Sequence, residues 1–273
     1  LAGLSFSPDG RRLALGCSKG VLIYDARRWA SEALLEGLDS VILSVAWSPD
    51  GAFLAGGAFD GKILIWRAAS GVRERICAGH AAHVSGLEWS RDGTRLLSGS
   101  LDGTARLWDV RSGAELRQLG TPEASLLAVR FEDGDRKVRA ALGNNTVRLW
   151  EAGTGRELAL LAGAPGLISA AAFAPDGLFA TGNGAGDIRI RRLDPGAVER
   201  TLPSGEGGAA VGRLVFTRDA RHLIGVTHAG GVRIWETRSG ELRSVLSAGP
   251  GVLEAVALDP GGRCFVTVGQ DRL

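Results

Sequence analysis

Short runs in which apolar and polar residues alternate, broken by tight turns, cover nearly the whole chain. The clearest stretch lies between Gly79 and Asp109, GHAAHVSGLEWSRDGTRLLSGSLDGTARLWD, where three such runs are separated by two Asp-Gly turns. Alternation with a period of two describes a strand with one face inward, and Asp-Gly describes a hairpin turn, so the stretch predicts a small antiparallel meander.

The same pattern recurs at a fixed interval. Taking the aromatic residue before each first turn as a marker, with leucine in the last case, Phe6, Trp47, Trp89, Phe131, Phe173, Phe216 and Leu258 are 41, 42, 42, 42, 43 and 42 residues apart. A second marker ends the third run at Tyr24, Trp66, Trp108, Trp150, Arg191 and Trp235, and it follows the first by 18 or 19 residues each time. These spacings predict repeats over 1–36, 37–78, 79–120, 121–162, 163–205 and 206–247, with a partial one over 248–273, all in a single domain. In the third run one face is apolar throughout, as with Ile63 and Ile65 or Ala105 and Leu107, while the other carries the marker with an arginine two residues before it. A fourth run follows a Ser-Gly or Thr-Gly turn and mixes Glu, Arg and Leu, as an exposed edge should. A four-stranded unit of this kind has two apolar faces and needs neighbours to cover them.

A period of 40 to 45 residues with four strands per unit and Gly-His and Trp-Asp punctuation identifies β-propeller repeats. On these residues the chain resembles the WD-repeat family over essentially its whole length. The resemblance implies an all-β fold, a seven-bladed WD-repeat β-propeller whose last blade is incomplete. The seventh repeat stops at GQDRL after its second strand, and Leu1 already lies inside an apolar strand, so the chain is expected to be a segment of a longer one. Repeat 5 departs furthest: Arg191 replaces the second marker, and PSGEGGAA is expected to be the most mobile loop. Trp29 is expected in an outer strand, packing locally.

Composition narrows the partners. A net charge of +2 offers no general field for nucleic acid or membrane, and neither is expected as a partner. Cys17, Cys77 and Cys264 are far apart and without CxxC spacing, which suits free thiols in a reducing, cytoplasmic setting.

The strongest chemical constellation is His80, Ser98 and Asp102, which lie 28, 10 and 6 residues before Trp108. At those offsets the WD-repeat resemblance implies a buried hydrogen-bonded network. An indole N–H only donates, a hydroxyl and an imidazole do both, and a carboxylate accepts, so the four make a satisfied structural chain and no hydrolase triad. GGAFDGK (Gly56 to Lys62) has phosphate-loop spacing up to its lysine but is followed by a strand, and GNGAGD (Gly182 to Asp187) is likewise a turn between strands. His80 and His83 have HxxH spacing without a further ligand nearby. No catalytic residue, cofactor or metal ligand is assigned.

The function expected is a non-catalytic platform for protein–protein interaction, monomeric and part of a larger chain. The resemblance implies a protein or peptide partner on the loop face around the central channel. In each inner strand the residues five and two before the marker are apolar, a spacing of three that predicts a bulge turning the residues six and four before the marker towards that face. Together with the residues that open the next-but-one turn, this selects Val41, Leu43, Phe59, His83, Ser85, Leu101, Leu127, Leu167, His228 and Val252. Two other functions are considered. One is a sensory or regulatory propeller controlling a catalytic domain elsewhere in the parent chain; the other is a propeller enzyme with its site at the channel mouth.

Overall fold

The computed structural model describes residues 3–37, 39–161, 167–192, 200–203, 209–247 and 251–269. Among them there are only strands and turns. Each repeat folds as an antiparallel meander in chain order, and the elements are as follows. Blade 1 is β1 (Leu4–Phe6), β2 (Arg12–Cys17), β3 (Gly20–Asp25) and β4 (Ala30–Glu36). Blade 2 is β5 (Ile42–Trp47), β6 (Phe53–Ala58), β7 (Ile63–Arg67) and β8 (Arg73–Cys77). Blade 3 is β9 (Val84–Trp89), β10 (Arg95–Ser100), β11 (Ala105–Asp109) and β12 (Glu115–Leu119). Blade 4 is β13 (Leu126–Glu132), β14 (Lys137–Leu142), β15 (Val147–Glu151) and β16 (Glu157–Leu161). Blade 5 is β17 (Ile168–Phe173), β18 (Leu178–Asn183), β19 (Ile188–Arg192) and β20 (Arg200–Leu202). Blade 6 is β21 (Val211–Phe216), β22 (His222–Thr227), β23 (Gly231–Glu236) and β24 (Leu242–Ser247). The seventh repeat supplies β25 (Leu253–Leu258) and β26 (Phe265–Gly269).

The propeller therefore has six four-stranded blades, not the seven expected. The seventh repeat forms a two-stranded sheet, β25 with β26, among the described residues. The strands cluster into two compact units, Leu1–Leu142 with Thr146–Leu160, and Gly143–Asn145 with Leu161–Leu273. The first holds blades 1 to 4. The second holds blades 5 and 6 and the two-stranded sheet.

Within each unit the core lies between blades. In the first, Ala14, Val21, Ile23 and Leu35 of blade 1 pack against Ile42, Val45, Leu54 and Trp66 of blade 2. In the second, Ala170, Ala180, Ile188 and Ile190 of blade 5 pack against Val211, Leu214, Leu223 and Trp235 of blade 6. The β1–β2 turn and its equivalents are held alike in four blades: Ser7, Ser48, Ser90 and Thr217 donate to Asp9, Asp50, Asp92 and Asp219, each at 2.6 Å.

The bulge expected in the inner strands is present in all six from β5 to β25. The register shifts across Leu43, Ser85, Leu127, Ser169, Gly212 and Glu254, four residues before the marker each time. A bulge disturbs the ladder and leaves main-chain groups needing partners. The structure meets part of that need from the preceding blade, with Ser44 donating to the Val84 carbonyl (3.0 Å), Ser85 to Leu126 (2.6 Å) and Ser169 to Val211 (2.7 Å).

One expectation fails locally. Trp29 sits in the turn before β4, at a positive φ of 54° and 56% exposed, rather than packed in an outer strand. Of the arginines two residues before the tryptophans, Arg106 pairs with Glu115 (2.6 Å), and Arg148 with Glu123 and Glu157. The expectation of a mobile PSGEGGAA loop falls largely on 204–208, outside the described residues.

Candidate functional site

Blade 3 brings His80, Ser98, Asp102 and Trp108 together. Trp108 Nε1–H donates to Ser98 Oγ at 2.8 Å, and Ser98 Oγ meets His80 Nε2 at 2.7 Å. His80 Nδ1 meets Asp102 Oδ2 at 2.9 Å. One proton order satisfies all three contacts: the serine hydroxyl donates to Nε2, and Nδ1–H donates to the carboxylate. Burial lowers the imidazole's pKa from its ordinary value, against the pull of Asp102, which favours the neutral ring. Burial would raise the Asp102 carboxyl, but the hydroxyl and N–H of Thr104, the N–H of Ala81 and His80 outweigh it and hold it at about 2.

Sequence reasoning missed Thr104, whose hydroxyl donates to Asp102 Oδ1 at 2.7 Å and lies 3.3 Å from His80 Nδ1. The Asp-Gly-Thr order is the signal, since a short hydroxyl two residues after an aspartate reaches back to it across the turn. Ser98 is fully buried, and its oxygen is held between indole and imidazole. The arrangement carries the features of a packing lock.

In blades 2 and 6 the tryptophan follows another route. Gly56 and Gly225 stand where blade 3 has Ser98, and the indoles of Trp66 and Trp235 come so close that a Cβ there would meet ring carbons at 2.8 and 2.9 Å. Each N–H then donates to a carbonyl at the end of the preceding blade: Trp66 to Glu36 at 3.0 Å, and Trp235 to Pro203 at 3.1 Å.

The residues selected as a partner face divide into two groups. Val41, Phe59, His83 and Leu101 come together on the loop side of blades 2 and 3. Phe59 donates its N–H to the Val41 carbonyl (2.8 Å), and Leu101 its N–H to that of His83 (2.9 Å). The rings of Phe59 and His83 lie against one another, with centroids 3.7 Å apart. Phe59 is 53% exposed, and Val41 and Leu101 are also exposed. His83 is thus engaged with a ring, and His80 with the network. Among the described residues no group of three or more His, Cys, Asp or Glu is placed to hold a metal ion.

Ser85 does not join this patch. Its hydroxyl is spent on the Gly99 and Leu126 carbonyls, because the bulge that brings the residue out of the ladder also leaves carbonyls to be satisfied. Leu43 and Leu127, at the same bulge place, are half-buried, and so is Val252. In the second unit Leu167 is 78% exposed and His228 is exposed, with the His228 N–H donated to the Ala210 carbonyl.

Residues 31–67 and 71–109 match the family model of the WD domain, G-beta repeat. The first match runs from β4 to β7 and the second from the turn before β8 to β11, so a sequence repeat begins in one blade's outer strand and ends in the next blade. The chain is also similar to a rice (Oryza sativa subsp. japonica) protein described as Chromatin assembly factor 1 subunit FAS2 homolog. They are 33% identical over 75 residues, which covers 25% of this chain and 15% of that protein. The chain thus spans only a small part of the relative it matches.

Proposed function

Because this chain carries WD repeats at 31–67 and 71–109 and folds into propeller blades, we propose that it is a non-catalytic platform for protein–protein interaction. The carrying observation is the convergence of Val41, Phe59, His83 and Leu101 on one side of two adjacent blades. Two rings in contact, flanked by exposed aliphatic side chains, suit an apolar or aromatic side chain of a protein or peptide, since such anchors supply most of the energy at protein interfaces. The full burial of Ser98 supports this reading over a hydrolytic one, and the relative's description as a subunit of an assembly factor favours a role in holding other proteins.

The test is the double variant Phe59→Asp with Leu101→Asp, compared with the parent in a pulldown from native extract and in a melting curve. Partners lost at an unchanged melting temperature support the patch. A full set retained moves recognition to another surface.

A further inference from the structure

Two grooves of similar build differ in charge. Each lies between the strands of one blade and the turn from third to fourth strand of the next. The groove between blades 1 and 2, of about 650 Å³, holds Arg12 and Arg73 against Glu32 and Glu36, so its charges cancel. The groove between blades 5 and 6, of about 720 Å³, holds Arg192, Arg200, Arg221 and Arg238. The acids that line it are already engaged. Asp176 pairs with Arg192 at 3.1 Å, and Glu236 with Arg243, outside the lining, at 2.6 Å. Asp219 accepts the hydroxyl of Thr217 at 2.6 Å and the N–H of Arg221 at 3.0 Å, while the exposed Arg221 guanidinium stands 3.7 Å away. Arg200 and Arg238 have no ion pair among the described residues, so the groove keeps a positive surplus.

Blade 6 also departs from other blades at two residues that line this groove. The residue after the third strand donates its N–H to the carbonyl just before the second strand, at 2.8 to 3.0 Å. It is Ala26, Ala68, Val110 and Ala152 in blades 1 to 4, and Thr237 in blade 6. Thr237 is 7% exposed, and its hydroxyl has no partner among the described residues. A buried hydroxyl left unpaired destabilises a fold, so one placed in a groove wall points to a polar group arriving from outside the chain. Arg200 stands beside it. The stem of Arg200 packs on the turn, where a Cβ at Gly240 would meet it at 2.6 Å, and Nη1 reaches the Thr237 carbonyl at 3.5 Å. The second departure is Ala220, at a φ of 56°, in the place that Gly10, Gly51, Gly93 and Gly177 take in blades 1, 2, 3 and 5. A left-handed residue with a Cβ is strained, and strain retained beside a groove is an outlier of the kind that points to function.

We propose that the groove between blades 5 and 6 binds an acidic segment of a partner protein, whose carboxylates are held by Arg200, Arg238 and the Thr237 hydroxyl. The sign of the occupant follows from the two arginines without counter-charges, since a guanidinium pairs best with an oxyanion. The hydroxyl has a proton to give, which a carboxylate accepts. A space of about 720 Å³ is far larger than one small anion fills, so the occupant is a stretch of chain.

The probe is fluorescein-labelled hexaglutamate, titrated by anisotropy against the whole chain, with hexalysine and a single-stranded oligothymidine as counterparts. Hexaglutamate is expected to bind, and both counterparts at least tenfold more weakly. Arg200→Gln and Arg238→Gln should each weaken hexaglutamate by fivefold or more. Arg111→Gln should not, although Arg111 holds in blade 3 the place of Arg238 in blade 6. Thr237→Val keeps the shape and removes the unpaired hydroxyl, so it should melt at or above the parent while binding the peptide at least threefold more weakly. The Phe59→Asp, Leu101→Asp variant should bind the peptide as the parent does, which separates this site from the loop face. Failure of hexaglutamate to bind the parent overturns the proposal, as does equal binding of hexalysine or of the oligothymidine. Undiminished binding by Arg200→Gln, Arg238→Gln or Thr237→Val also overturns it. So does an equal loss in Arg111→Gln, which would make the attraction a general one of surface charge, or a lower melting temperature for Thr237→Val, which would give the hydroxyl a structural role.

Discussion

The carboxylate of Glu88, on the inner strand of blade 3, accepts the backbone N–H of Phe131 on the inner strand of blade 4 at 2.5 Å. Elsewhere the same junction uses an indole: Trp47 Nε1–H donates to the Ser5 carbonyl at 3.1 Å, and Trp89 Nε1–H to Ala46 at 2.9 Å. Phe131 has no such donor. The junction of blades 3 and 4 is instead a clasp of charged groups. Arg91 donates its N–H to Asp135 at 2.7 Å, and Arg95 donates to the Asp135 carbonyl at 3.2 Å and lies over the Phe131 ring.

This clasp predicts a pH dependence. Although the Glu88 residue as a whole is only half-buried, its carboxyl is enclosed, and burial raises its pKa from 4.5 to about 7 against the pull of Arg130 and the Phe131 N–H. The folded state thus binds this proton more tightly than the unfolded chain does. Its contribution is complete below pH 4.5 and is lost as pH rises through about 7, on the order of 3 kcal/mol in all. Glu88→Gln keeps an acceptor for Phe131 without the charge. Melting curves from pH 5 to 8 should show a flatter profile for the variant and a higher melting temperature than the parent at pH 8.

Ser98→Ala should destabilise the chain by about 1–3 kcal/mol, because it strands the Trp108 N–H and His80 Nε2 in the interior. Denaturant titration of parent and variant measures this directly. His80 supplies a second check with the opposite sign to Glu88. Its lowered pKa means that the stability tied to the neutral ring is present above the ordinary imidazole value of 6.5 and falls as pH drops below it. Nitrogen chemical shifts of the ring should report a neutral Nδ1–H form at pH 7.

Two glycines on inner positions of neighbouring blades should respond differently to alanine. At Gly56 a Cβ meets the Trp66 ring at 2.8 Å, whereas at Gly86 the nearest atom is on Val129 at an ordinary 3.6 Å. Gly56→Ala should cost about 1–3 kcal/mol through overpacking, while Gly86→Ala should be neutral or slightly stabilising. Equal melting temperatures for the two variants would contradict the account of the Trp66 route.

The serine stitches between blades predict a smaller effect. Ser85→Ala removes the donor to the Leu126 carbonyl, and Ser169→Ala the donor to Val211. Each should lower stability by about 1 kcal/mol, read from denaturant titration. A serine acting only as a partner-facing residue would leave stability unchanged.

The strand alternation, the spacing of the markers, the bulge four residues before each marker and the grouping of His80, Ser98, Asp102 and Trp108, though not of Thr104, were determined by the sequence, because each depends on local periodicity or on a fixed offset within one repeat. The blade count was not, since the seventh marker, Leu258, counts towards a blade on its spacing alone, whereas β25 and β26 form only a two-stranded sheet among the described residues. Nor was the division of the partner-facing residues: Ser85 and His83 lie two positions apart, yet one is tied to the next blade while the other meets Phe59 from the blade before. Trp29 could be counted as an aromatic residue in an outer run, but its left-handed backbone shows only in the folded turn. Only the tertiary structure decided these points, because they depend on which atoms of a neighbouring blade stand opposite a side chain, and a carbonyl, ring or open edge across that gap leaves no trace in the repeat's own pattern.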